Sequence, residues 1–548
     1  MNNKKFRQPR SPAEIKKNKE RQKKEQQGEG PFLRAELESN VNYLQAIIGK
    51  SNDVIFREFT FNLVQPIKGV LVFIDGLTDR ETINEYILEA LTTYQVGPEA
   101  EWRHDRQNLA QQIKDYVLNI NEVSLESSFP TIITAILSGE TAVFIEGNDR
   151  ALLCNTRGWE HRGIEEPQTE AAIRGPKVGF NELLRSNTAQ IRRVIRDPGL
   201  RVKTIKIGVR SQTDVAIVYL ESVAKPELVA EVESRLQRIK VDGILESAYL
   251  QEFIEDHPYS LFPTLQTTER VDRVVAAILE GKVAVVVDNT SFVLLMPVTF
   301  WELYYAAEDY YHRWPLASLL RFLRLVSFFF SLYLPALYVA FAVHSPELIP
   351  FNLAVKIAGT REGIPFPVYV EGLLMELAIE ILREASVRLP GPFGQTIGIV
   401  GGFILGDAAV RAGLISPIMT IVVALTAISS FTAPSFAVAI TMRILRFPLM
   451  LVAQVSGLYG LSMVTIILLI NMAGIRSFGV PFLSPLVPLK LSDLKDFFMV
   501  APRWAMINRP LAYETLDVKR EGSKANNWWE ALFSPPTKRN KGGEKEDE

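Results

Sequence analysis

The stretch "PFPVYVEGLLMELAIEILREASVRLPGPFGQTIGIVGGFILGD", Pro365 to Asp407, decides the fold. It lies between segments apolar enough to cross a bilayer, yet its first half carries Glu371, Glu376, Glu380 and Glu384, with Arg383 and Arg388. Pro365 and Pro367 suit a helix start, and Leu389-Pro390-Gly391-Pro392 ends it. Val370, Leu374, Leu377 and Ile381 share one helical face, and Glu376, Glu380 and Glu384 fall at i, i+4, i+8 on another. Ionisable groups at membrane depth are costly and turn toward a bundle interior or a water-filled path. Periodicity leaves two readings open. In a cyclic oligomer this face forms stacked rings of carboxylate lining a cation pathway. Alternatively, Arg383 and Arg388 pair with Glu380 and Glu384 and the helix lies flat at the interface. Gly394, Gly398, Gly402 and Gly406 then recur every fourth residue, a stripe that lets helix backbones pack closely.

Upstream, "WELYYAAEDYYHRWP" reads as an aromatic belt. Arg313, Arg321 and Arg324 precede the uncharged run Leu325–Val343, which suits a span starting on the cytoplasmic side. Downstream, the glycine-rich Leu389–Gly406, then Ala412–Met442 and Phe447–Ile475, are uncharged. The middle one exceeds one span, so it is either tilted or broken near Pro434, where Ser429, Ser430 and Thr432 interrupt it. Basic residues from Arg476 onward place the C-terminus on the cytoplasmic side too, which calls for four spans, with the carboxylate helix as a fifth membrane element.

The first ~300 residues alternate strand and helix patterns typical of soluble α/β material. Their order recurs. Ala135–Leu153 aligns without gaps on Ala277–Leu295 with eight identities in nineteen positions, Gly139 matching Gly281 at a helix C-cap. The fold class expected is therefore an α/β cytoplasmic N-terminal region of two related subdomains plus an α-helical polytopic membrane domain. The expected boundaries are a disordered basic tail (1–39), subdomain 1 (40–160), an Arg-rich linker (161–199), subdomain 2 (200–310), the transmembrane helices (311–480) and a cytoplasmic C-terminal tail (481–548).

Residues 1–24 hold ten Lys/Arg against Glu14 and Glu20, a composition suited to anionic lipid or to simple solvation. With Phe6 the single aromatic among these charges, nucleic acid is not expected. In the linker, Arg192, Arg193 and Arg196 read as a solvated face, with a subunit or lipid contact as the alternative. Cys154 is the single cysteine, so no intramolecular disulfide and no cysteine metal site is expected. His104, His161, His257, His312 and His344 are scattered without metal spacing, "RGPKVGF" lacks the spacing of a phosphate loop, and no nucleophile elbow occurs. An enzyme is therefore not expected, and no cofactor is implied.

Four long motifs carry a family resemblance: "IRGPKVGF" (Ile173–Phe180) with "TAQIRRVIRDPGL" (Thr188–Leu200), "IEDHPYSLFPTLQTTERVDRV" (Ile254–Val274), "REGIPFPVYVEGLLMELAIEILREASVRLP" (Arg361–Pro390) and "RSFGVPFLSPL" (Arg476–Leu486). With them the chain resembles the A subunits of GerA-type spore germination receptors from about residue 40 to 500. Val178 departs from the pattern, which has a glutamate there. The resemblance implies a protein of the spore inner membrane. It also implies a transporter-like B subunit that binds the germinant, a lipoprotein C subunit, and assembly of the A subunit into a cation channel opened by nutrients. On that basis the pore reading is preferred, with Glu376, Glu380 and Glu384 attracting monovalent cations, the glycine stripe as packing seam and Pro434 as hinge. A non-conducting scaffold and a secondary transporter are the alternatives.

Overall fold

The computed structural model describes residues 32–62, 66–93, 109–158, 167, 170, 172–388, 401–402 and 406–520. They form two compact units. The first comprises the described residues within Met1–Glu166, Val178–Leu250 and Glu269–Leu294, and the second those within Pro167–Lys177, Gln251–Thr268 and Leu295–Glu548.

Ten strands build two mixed α/β layers. The first sheet contains β1 (Val54–Asn62), β2 (Pro66–Ile74), β3 (Val123–Glu126), β4 (Thr141–Ile145) and β5 (Ala151–Cys154). The second contains β6 (Leu200–Ile207), β7 (Thr213–Leu220), β8 (Gln266–Thr268), β9 (Val283–Val287) and β10 (Val293–Met296). Their strand orders, β1-β2-β4-β5-β3 and β6-β7-β9-β10-β8, are the same wiring. β1 pairs β2 and β6 pairs β7 antiparallel, and β2–β4 and β7–β9 follow in matching register, Val72 opposite Ala142 and Val218 opposite Ala284. The repeat inferred from nineteen aligned residues thus extends through both sheets. Gly139 (φ 93°) and Gly281 (φ 88°) end helices in the left-handed conformation that glycine takes without a Cβ penalty. β4, β5, β9 and β10 are buried throughout, which explains their unbroken Val, Ile, Leu and Ala runs.

Within the first unit, helix α1 (Leu184–Val194) ties the two sheets' strands together. Arg192 donates through Nε and Nη2 to both oxygens of Asp53, at 2.5 and 2.9 Å. The same Nη2 reaches Ser51 Oγ and the Leu200 carbonyl. Asn52 N–H and Val202 N–H complete the seam, donating to the Val202 carbonyl and to Ser51 Oγ. Arg192 is 1 % exposed, so the expected solvated face does not hold at this position. A helical moment placed three arginines together, but it could not show that the residues before β1 would supply a buried carboxylate to one of them.

The second unit is mostly helical. Its long elements are α2 (Trp314–Val343), α3 (Phe351–Arg361), α4 (Val368–Arg388), α5 (Pro417–Ser430) and α6 (Phe436–Gly474). α2 and α6 are each long and apolar enough to cross a membrane. The apolar run over 412–442 is broken, as one of its two readings had it: α5 ends at Ser430, α6 starts at Phe436, and Pro434 lies in the turn between. Arg443 and Arg446, which separate the two uncharged runs in sequence, sit inside α6 and mark no boundary.

α6 is not one rod. Gly457 has φ 58° and ψ −144°, a conformation essentially confined to glycine. A continuous helix from Thr441 to Gly474 would extend about 50 Å. Yet Thr441 Oγ1 donates to the Leu261 carbonyl and Ser477 Oγ to the Thr264 carbonyl, two anchors three residues apart and so within about 11 Å. The chain therefore reverses at Gly457. A Cβ on Gly460 would stand 2.8 Å from the Val452 side chain, a contact that a straight helix could not make eight residues apart. The legs 436–456 and 458–474 are about 31 and 26 Å long, each close to a bilayer's hydrocarbon thickness. His344, at the end of α2, covers the reversal, with Nε2 2.8 Å from the Gln454 carbonyl.

The belt motif also packs inward. Phe300, Leu303 and Tyr304 are buried in short 3₁₀ turns beside Phe262, Phe328 and Phe482. Residues 496–506 pack on the foot of α2: Ala501, Ala505 and Met506 cluster with Ala317, and Val500 N–H donates to Ser318 Oγ.

Candidate functional site

The carboxylates of α4 define the site. Pro367 starts the helix, its carbonyl accepting from Val370 N–H at 2.9 Å. On this helix the usual polarity is reversed. Leu374, Leu377 and Ile381 are exposed, whereas Glu371 and Glu376 are 0 % and 1 % exposed. An apolar stripe outside and acids inside is the arrangement expected of a helix whose outer face meets hydrocarbon.

Glu371, Glu376 and Glu380 are each met by arginine. Arg446 of α6 donates through Nη1 to Glu376 Oε2, and through Nε to the Ser331 carbonyl of α2 at 2.9 Å. Three helices therefore close on one buried ion pair. Glu380 bridges two cations: Arg383 on its own helix at 2.9 Å and Arg443 of α6 at 3.0 Å. Glu371 takes Arg361 of α3 at 3.2 Å and accepts from Ser416 N–H at 2.9 Å. That serine also caps α5, accepting from Met419 N–H. Arg383 reaches Ser430 Oγ and stacks over Phe431 at the end of α5. A buried pair contributes little net stability against its two desolvated ions, but removing one partner strands the other at a cost of roughly 3–5 kcal/mol. The ladder thus fixes how α3, α4, α5 and α6 are arranged.

The three acids predicted to act together differ in surroundings. Glu376 is fully enclosed, Glu380 is 27 % exposed at its side chain, and Glu384 is exposed. Of the glycine stripe, Gly394 and Gly398 lie outside the described residues. A Cβ on Gly402 would meet nothing within 4 Å, and one on Gly406 would make an ordinary contact with Thr420. The tightest position among these is Gly401, where a Cβ would stand 2.9 Å from a Leu382 methyl of α4. The pairing of Arg383 with Glu380 is the one read from sequence, whereas Arg361, Arg443 and Arg446 were not singled out as partners. The legible signal was "ITMRILRFPL": two arginines three apart inside an apolar segment that begins and ends without another charge.

In the α/β part, burial, reinforced by the nearby Glu140, pushes the Cys154 thiol up to about 12, so it is not a nucleophile at neutral pH.

An α/β region of two like sheets followed by apolar helices carrying a charged seam is the class this fold and site define. Residues 42–512 match the family described as "Bacillus/Clostridium GerA spore germination protein". The chain is 42 % identical over 477 residues to the "Uncharacterized membrane protein YfkQ" of Bacillus subtilis (strain 168), covering 87 % of this chain and 91 % of that protein. It is 40 % identical over 499 residues to "Spore germination protein KA" of the same strain, covering 91 % and 90 %. The crystal structure of the N-terminal domain of the A subunit of the Bacillus megaterium spore germinant receptor GerK3 is 29 % identical, spans 50 % of this chain and 98 % of that one, and superposes with a TM-score of 0.40. The protein belongs to the GerA spore germination family.

Proposed function

We propose that this protein is the A subunit of a nutrient germinant receptor in the spore inner membrane, and that copies of it assemble into a cation channel that opens when germinant binds. In this reading the α/β region and the C-terminal segment face the cytoplasm. The germinant is bound by a transporter-like B subunit, and a lipoprotein C subunit completes the receptor. One observation carries the channel reading: α4 turns Glu371, Glu376 and Glu380 toward arginines of neighbouring helices, and Leu374 and Leu377 outward. Such a seam keeps its acids charge-compensated when closed. If the arginines part from it, it presents carboxylates to a path, the lining expected for monovalent cations. Glu384 and Glu380 are the more accessible acids, and Glu376 joins them once Arg446 withdraws. Pro434, in the turn before the hairpin, is the hinge. That all the pairs close within one subunit also favours a second reading, a non-conducting scaffold for the B subunit.

Planar-bilayer recording of the purified protein, with and without B subunit and germinant, separates the two. The channel reading expects Glu380→Gln and Glu384→Gln to lower cation selectivity and Arg446→Gln to raise resting conductance. Unchanged conductance and selectivity in all of Glu376→Gln, Glu380→Gln and Glu384→Gln overturns the carboxylate lining. No current under any condition establishes the scaffold.

A further inference from the structure

A second polar cluster lies at the foot of α2, away from the carboxylate seam. It surrounds a pocket open on one side, lined by Trp301, Tyr304, Arg321, Arg324, Phe322 and Phe498 among others. Three buried hydrogen-bond donors have no partner among the described residues: Trp301 Nε1, Tyr304 Oη and Arg321 Nη2. All three belong to residues that line this pocket. Buried donors left unpaired are rare in folded proteins, and three of them in residues that line one pocket point to an occupant that brings acceptors. Tyr304 stays a donor, since burial holds its phenol well above the usual range.

Charge points the same way. Both cations of the lining are arginines, and no acid lines the pocket. Asp309 and Asp496 instead hold the guanidiniums in place: Arg321 pairs with both and stacks on Tyr305, and Arg324 grips Asp309 at 3.0 and 3.2 Å. The mouth is apolar. Phe322 and Phe498 are each more than half exposed, at the base of a helix apolar enough to cross a membrane. Arginine and aromatic rings at that level are the composition of a headgroup zone.

We propose that this pocket binds the phosphate headgroup of an anionic phospholipid. Trp301, Tyr304 and Arg321 donate to its oxygens, Arg324 supplies the second positive charge, and Phe322 and Phe498 lie along its acyl chains. The site involves none of the carboxylates of α4, so it stands whether or not the bundle conducts.

The test uses the full-length protein in a non-ionic detergent, with short-chain phosphatidylglycerol, short-chain phosphatidylcholine and inorganic phosphate as probes. Retained lipid is read by native mass spectrometry and stabilisation by thermal shift. Trp301→Phe and Tyr304→Phe keep the rings and remove only the orphan donors. Phosphatidylglycerol is expected to bind and stabilise the parent, and each variant to bind it about tenfold more weakly, the loss of one hydrogen bond to a charged acceptor. Arg324→Gln is expected to abolish the preference for phosphatidylglycerol over phosphatidylcholine. Equal binding in parent, Trp301→Phe and Tyr304→Phe overturns the proposal. So does equal stabilisation by phosphatidylcholine, which removes the anion, or by inorganic phosphate alone, which removes the lipid.

Discussion

Arg192 shows what one side chain can do in a duplicated fold. Its planar fork grips Asp53 with two parallel hydrogen bonds, and the other Nη2 hydrogen is shared between Ser51 Oγ and the Leu200 carbonyl, so residues on either side of the repeat share one guanidinium. Arg192→Ala leaves Asp53 only 10 % exposed with no counter-charge. We expect it to cost roughly 3–5 kcal/mol. Arg192→Lys is expected to recover part of that and no more, because an ammonium cannot make the bidentate contact. Thermal unfolding of the α/β signal in the full-length protein checks both, and a melt unchanged by Arg192→Ala would refute the buried-clasp account. Residue types were legible in sequence here, but pairings were not. "TAQIRRVIRDPGL" announces arginines, whereas Asp53 lies 139 positions earlier and only the folded chain brings the two together. The same holds for Glu376 and Arg446, 70 positions apart.

Among the elements, those with strong local signals were readable. The carboxylate helix runs from Val368 to Arg388 between the prolines that bracket it, and the break at Pro434 falls where the polar residues cluster. What sequence did not reveal was the reversal in α6, because a single glycine within an apolar run looks like any packing glycine. The structure gives Gly457 two reasons to be glycine: its left-handed dihedrals, and the His344 Cβ only 2.8 Å from where a Cβ would stand. Gly457→Ala is therefore expected to destabilise the hairpin by about 1–3 kcal/mol. Gly460→Ala tests the neighbouring contact with Val452 without backbone strain. The measurement is protease resistance and melting temperature in detergent, and a Gly457→Ala protein as stable as the parent would show that the reversal tolerates an ordinary residue.

For the whole molecule, the two like-wired sheets and the apolar helices were both foreseen. The internal repeat was detectable because buried strands keep their composition even where individual residues drift. How often the chain crosses the bilayer was harder, because hydropathy counts apolar length and not direction. Direction follows from the hairpin. Its two ends are anchored at Leu261 and Thr264, while its tip lies against His344 at the far end of α2. Phe300, just before α2, is bonded to Phe482, just after the hairpin. If α2 and both legs of the hairpin span a bilayer, the chain leaves one side through α2, and leaves and regains that side through the hairpin. Parity then requires an odd number of crossings between residues 344 and 435. Single cysteines report this cleanly, because the native Cys154 is buried and its thiol is pushed up to about 12. In sealed vesicles, Arg313→Cys and Ser492→Cys are expected to react with an impermeant maleimide from one side and Glu347→Cys from the other. Labelling of Arg313→Cys and Ser492→Cys from opposite sides would break the parity. If these helices span a bilayer, one glycine with a positive φ thus decides whether the segments before and after the bundle share a compartment.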